Sequence, residues 1–185
     1  MKNISFFLLS SLCSLTALAG DSAPAGNRQP LHTIPVLDVP RYMGTWYEIA
    51  KYPNWFQKKC AGWTRAEYSL QRDGTVQVIN RCRLENGEIQ SALGTARQAG
   101  PATSPKLEVR FAPAWLSFLP FVWGDYWIID LDEHYQLVAV SEPEKEYLWI
   151  LARTPVIAAD DYRNLLTRLS HQGFDIRRLE VTRQD

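Results

Sequence analysis

The sequence has no surplus of charge of either sign: 20 basic and 20 acidic side chains cancel to a formal net charge of zero. Nucleic-acid binding needs a local excess of Lys and Arg to neutralise phosphates, so that partner class is not expected. Histidine is scarce, and His32, His134 and His171 lie far apart. There are only three cysteines, and neither Cys60 nor Cys82 has a Cys or His neighbour at ligand spacing. No metal site, no cofactor and no catalytic residue is therefore expected, because nothing in the spacing suits a Cys-His or Ser-His-Asp arrangement. Past residue 19 no stretch reaches the roughly 20 uncharged apolar residues of a spanning helix. What the chain has instead is aromatic side chains: seven Trp, eight Tyr and seven Phe in 185 residues, within a hydrophobic content of 46%. That length and apolar content suit one folded domain and exclude a disordered chain.

Residues 1–19 read as a signal peptide. Lys2 supplies the positive start, residues 4–18 are apolar and small, and Ala17-Leu18-Ala19 has the small-x-small shape of a cleavage site. Gly20 follows that site where a lipid-modified Cys would have to stand, and bulky Leu12 precedes Cys13, so a lipid anchor is not expected. The anticipated product is a periplasmic protein with a flexible leader over 20–34 and one domain over 35–185. Cys60 and Cys82 then form an even pair in an oxidising compartment, which predicts one disulfide.

Eight segments rich in Val, Ile, Tyr, Trp and Thr follow one another between turn residues: 44–52, 62–70, 75–83, 89–98, 106–112, 123–130, 135–141 and 147–152. Asp73-Gly74 and Asn86-Gly87 are hairpin signals. In Leu107-Glu108-Val109-Arg110-Phe111 apolar and charged residues alternate strictly, so Leu107, Val109 and Phe111 share one face. After Thr154-Pro155 the period changes. Ala159, Tyr162, Leu165, Leu166 and Leu169 recur at helical spacing, predicting an amphipathic helix over 158–171 that ends near Gly173. Eight antiparallel strands with short turns predict an all-β protein, an eight-stranded up-and-down barrel with a C-terminal α-helix.

Three motifs in this order resemble those of the lipocalins, most closely the bacterial lipocalins similar to apolipoprotein D. They are Arg41-Tyr42-Met43-Gly44-Thr45-Trp46-Tyr47-Glu48-Ile49-Ala50, then Leu131-Asp132 with Tyr135, then Leu148-Trp149-Ile150-Leu151-Ala152-Arg153-Thr154-Pro155. The second motif keeps only Asp132 of the family's T-D-Y. The resemblance implies that Gly44, Trp46, Asp132 and Arg153 are structural, with the Arg153 plane capping the Trp46 indole at the closed end of the barrel. It also implies a small hydrophobic ligand, a fatty acid, lysophospholipid or related membrane lipid, bound inside the cup.

With the first strand starting at the closed end, the loops 53–61, 84–88, 113–122 and 142–146 share the open end. The first carries Trp55 and Phe56 beside Lys58 and Lys59. The third is almost wholly apolar and includes Trp115, Phe118 and Phe121. Such a loop needs a partner, which could be the barrel mouth under a lid or gate, a membrane surface, or a second copy in a homodimer. Parity from Trp46 turns Glu48 and Ala50 inward, and parity from Arg153 turns Trp149 and Leu151 inward. Of Tyr126 and Trp127, one must face in. A hairpin turning at Arg72-Asp73 sets Cys82 opposite residue 63, close to Cys60.

Overall fold

The computed structural model describes residues 30–185. The signal peptide expected over 1–19 and most of the leader lie outside the described residues. A short helix α1 (Val39–Tyr42) precedes eight strands: β1 (Gly44–Lys51), β2 (Cys60–Leu70), β3 (Val76–Leu84), β4 (Ile89–Gln98), β5 (Lys106–Arg110), β6 (Gly124–Leu131), β7 (Leu137–Ser141) and β8 (Leu148–Ala152). Helix α2 (Ala159–His171) and a two-residue strand β9 (Glu180–Val181) follow. Consecutive strands pair antiparallel from β2 to β8, and β1 pairs with both β8 and β2, so the sheet closes on itself. The protein is a closed eight-stranded antiparallel barrel with one helix packed on its outside.

Two apolar layers share the barrel wall. The inner layer includes Trp46, Tyr68, Val78, Ala96, Leu107, Ile128, Val138 and Leu151. The outer layer lies beneath α2, whose Leu165 and Leu169 are fully buried against Ala139, Leu148, Ile150 and Ala152. Strands that carry both helix and lumen must be apolar on both faces, which is why β7 and β8 read as unbroken hydrophobic runs. Arg168 in the last turn of α2 clamps Asp130 of β6 with two hydrogen bonds, Nε at 2.6 Å and Nη2 at 2.9 Å.

The floor is built by α1, which had no strong helical signal. Asp38 caps it by accepting from the Arg41 N–H at 3.1 Å, and Pro40 presets its first turn. Val39 and Tyr42 thereby enter the inner layer. The end of the expected leader touches the barrel: the Ile34 N–H donates to the Ile128 carbonyl at 3.0 Å, and Leu31 packs on the outer layer.

The two residues of β9 carry no periodicity that the sequence could reveal. β1 pairs with β2 only from Gly44 to Tyr47. Beyond that, β9 takes over the edge of β1 opposite Ala50 and Lys51, and the Trp63 N–H donates to the Arg183 carbonyl at 2.6 Å. The last residues thus bridge the seam where β1 and β2 diverge. The disulfide Cys60–Cys82 ties that end of β2 to β3, with Cα atoms 5.5 Å apart. β2 is irregular there. Gly62 pairs with Arg83 and Arg65 with Arg81, so Trp63 and Thr64 together oppose Cys82.

Candidate functional site

At the closed end Trp46 is fully buried and donates its indole N–H to the Tyr42 carbonyl at 2.8 Å. The Arg153 guanidinium carbon stands 4.0 Å from the Trp46 ring centroid. Arg153 also donates to four carbonyls: Tyr135 through Nε, Thr45 through Nη1, and Arg41 and Tyr42 through Nη2, at 2.9–3.2 Å. Burial lowers its pKa from the ordinary arginine value. Asp132 accepts backbone N–H groups of His134, Gln136 and Leu137, which shapes the β6–β7 turn. These residues seal the floor.

Above the floor the lumen is lined by Ala66, Val78, Gly94, Ala96, Leu107, Val109, Tyr126 and Leu151, in an alternation set by the pleat. The inward side chains at Gly94 and Ala96 of β4 are small. Ala92, two residues nearer the mouth than Gly94 on the same face, is exposed, so the cup is open to solvent at that level.

Glu48 is the charged residue of this wall. It follows Trp46 on β1, opposite Leu151, and is 3% exposed. Its carboxylate accepts from Gln57 Nε2 at 2.7 Å and from Thr182 Oγ1 at 2.6 Å. Burial raises its pKa above the ordinary carboxylate value, and these two hydrogen bonds oppose the rise. Gln184 donates to the Glu48 carbonyl at 2.6 Å and to the Thr64 carbonyl at 3.0 Å. A groove of about 620 Å³ opens beside this network, with Lys51, Arg83, Glu180 and Thr182 among its polar walls.

The mouth carries an aromatic cluster. Phe56 packs against Trp55, Tyr147 and Trp149 at 5.5–6.2 Å between centroids, and Tyr147 stacks on Trp149 at 5.7 Å. Gln57 joins the cluster to the acid: its Oε1 accepts from the Trp149 indole at 3.1 Å while its Nε2 donates to Glu48.

The lipocalin-like domain family matches residues 37–184. The chain belongs to the lipocalin family. It is 39% identical over 159 residues to temperature-induced lipocalin-1 of Arabidopsis thaliana, covering 85% of this chain and 84% of that one. It is 39% identical over 140 residues to the outer membrane lipoprotein Blc of Escherichia coli K12, covering 75% of each. Apolipoprotein D of Mus musculus is 33% identical over 153 residues, covering 80% of this chain and 77% of its own. Among solved structures, insecticyanin from the tobacco hornworm Manduca sexta aligns with a TM-score of 0.60 at 20% identity, over 83% of this chain and 82% of that one.

In this lipocalin the pocket residues expected from the sequence divide into four groups. Glu48, Leu107, Val109, Tyr126, Trp149 and Leu151 meet on the inner face, and Trp127 packs outside under Lys106. Trp55, Phe56 and Phe111 stand at the rim, and the Phe111 ring covers the space where a Gly94 side chain would project. Ala50 is a correction: it belongs to the outer layer beneath α2. A bulge between Glu48 and Ala50 shifts the register against β8 by one, and one extra residue reverses every facing beyond it.

The 113–122 loop, for which the sequence leaves a lid or gate, a membrane surface and a second copy open as partners, does not pack over the mouth here. Trp115, Phe118 and Phe121 are 72%, 76% and 79% exposed. The loop is held from the outside, where the Trp123 indole donates to the Ser117 carbonyl at 2.9 Å and Arg97 lies over the Trp123 ring. Sequence reasoning also passed over Gln57, Thr182 and Gln184, which bind Glu48 from loop and tail. Isolated polar residues of that kind leave no pattern to read. The Cys60–Cys82 disulfide removes both of these thiols as nucleophiles.

Proposed function

We propose that this protein binds and carries an elongated apolar molecule, a fatty acid, lysophospholipid or related membrane lipid, in the cell envelope. The observation that carries the reading is a closed barrel with a sealed floor, an apolar inner face and an open, aromatic-rimmed mouth. The lipocalin family binds small hydrophobic ligands, and such a cup favours an acyl chain by about 0.8 kcal/mol for each methylene removed from water. No bond needs to be made or broken, so the role is binding rather than catalysis.

Placement in the envelope rests on the signal peptide read over residues 1–19 and on relatives named as outer membrane lipoproteins. With Gly20 after the cleavage site, the mature chain is a periplasmic protein without its own lipid anchor. Extraction of lipid from natively purified protein, followed by mass analysis, tests the cargo. Absence of any co-purifying lipid together with no saturable binding of labelled lysophospholipid would sink the carrier reading. Fractionation of cells tests the location.

A second reading concerns the rim. Trp55 exposes a large apolar surface in the same loop as exposed Lys58 and Lys59, and Trp115, Phe118 and Phe121 expose theirs in the β5–β6 loop, a composition suited to an anionic headgroup layer. Peripheral contact with the membrane would bring the mouth to its cargo. Co-sedimentation with anionic vesicles, lost on replacing the three loop aromatics by Ser, is the expected result. Concentration-dependent self-association lost in the same variant would instead mark a homodimer contact.

A further inference from the structure

Three tyrosine hydroxyls meet at the bottom of the lumen, and neither the floor seal nor the carrier reading uses them. Tyr42 comes from α1, Tyr68 from β2 and Tyr126 from β6. The Tyr126 hydroxyl lies 2.9 Å from that of Tyr42 and 2.9 Å from that of Tyr68. The rings pack closely as well, with Tyr42 and Tyr68 centroids 5.6 Å apart and Tyr68 and Tyr126 6.2 Å apart. Burial raises all three phenols well above their ordinary pKa, so each keeps its proton.

Donor counting then gives an asymmetric result. Three hydroxyls carry three protons, and two mutual hydrogen bonds use only two of them. Whichever way the two bonds point, one O–H is left without an acceptor among the three. A buried donor without an acceptor is costly, and an acceptor arriving there regains that cost. The site is also approachable. Tyr126 is half-buried within the inner layer, as is Val109 of the adjoining strand β5.

We infer that the Tyr42–Tyr126–Tyr68 hydroxyls form a deep subsite that donates a hydrogen bond to a neutral carbonyl oxygen at the buried end of the apolar ligand. A neutral oxygen suits the site better than a carboxylate. The nearest fixed cation of the floor, Arg153, already spends Nε, Nη1 and Nη2 on backbone carbonyls, so an ionised head group would be desolvated with no charged partner. The inference rests on the carrier reading, and it adds a polarity to the cargo.

The test uses the full mature protein and three probes: N-phenyl-1-naphthylamine as a fluorescent apolar reporter, 2-tetradecanone labelled with carbon-13 at the carbonyl, and tetradecane. The ketone should displace the reporter roughly tenfold more effectively than the alkane. Its bound carbonyl stretch should fall to the hydrogen-bonded frequency in isotope-edited infrared difference spectra. In Y42F/Y68F/Y126F the preference and the infrared shift should both vanish while the reporter still binds. Should the triple variant fail to fold, the infrared measurement on the wild-type protein decides alone. Reporter binding with equal displacement, and a carbonyl at its alkane-solution frequency, would overturn the subsite and leave the carrier reading standing. Persistence of the shift in the folded triple variant would overturn it too. No reporter binding at all would overturn the carrier reading, and the subsite with it.

Discussion

Arg153 holds Trp46 in place from two directions, its guanidinium lying 4.0 Å from the indole centroid while its N–H groups bind four carbonyls around the ring. The pair joins the end of β8 to the start of β1, so it closes the barrel at the point where the sheet meets itself. Replacing Arg153 by Ala should cost about 2–4 kcal/mol, from the lost cation–π contact and the carbonyls left unpaired. Urea denaturation measures this. Arg153→Lys should recover only part, because a single ammonium cannot span carbonyls on both sides of the ring.

Glu48 should make stability pH-dependent in an unusual direction for a carboxylate. Its folded pKa is raised by burial, so the native state holds the proton more tightly than the unfolded chain. The contribution is fully present below the ordinary glutamate pKa and is lost as pH rises through the raised folded value. Glu48→Gln should remove this part of the slope. Denaturation midpoints of the two proteins, collected from acid to neutral pH, should therefore converge at acid pH in their pH-dependent component. Parallel curves across that range would refute the assignment.

The Cys60–Cys82 bond spans 22 residues of sequence. Reduction, or Cys82→Ser paired with Cys60→Ser, should lower stability by about 3 kcal/mol by the chain-entropy relation. Denaturation with and without reductant checks the size of the effect.

Ala50 offers a test of facing. It sits fully buried between β1 and α2, so Ala50→Leu should overpack the helix contact and cost about 1–3 kcal/mol. Affinity for an apolar probe, measured below the unfolding transition, should stay unchanged. A lumen residue would show the opposite pattern.

Much of the fold was legible because strands advertise themselves. The Leu107-to-Phe111 alternation and the period change after Pro155 become β5 and α2 within a few residues. The floor pair was legible through motifs. The site was less so, and Ala50 shows why. Parity carries facing along a strand only while the pleat is unbroken, and the bulge after Glu48 arises from pairing with β8, not from any residue that marks it. For Tyr126 and Trp127 the alternation narrowed the choice to two, and packing under α2 made it.

The class of molecule is written along the chain: an eight-strand rhythm, a late amphipathic helix, one cysteine pair and zero net charge with aromatics to spare. Those features are local in the chain, so local physics reads them. Where the aromatics stand depends instead on how the sheet closes. Tyr42, Tyr68 and Tyr126 are separated by dozens of residues and touch because closure of the sheet brings α1, β2 and β6 to one depth. Trp115, Phe118 and Phe121 are consecutive with the strands yet stay in solvent, because the loop is tethered to the outer face through Trp123. Proximity across a closed barrel depends on register summed around every strand, and no window of sequence contains that sum.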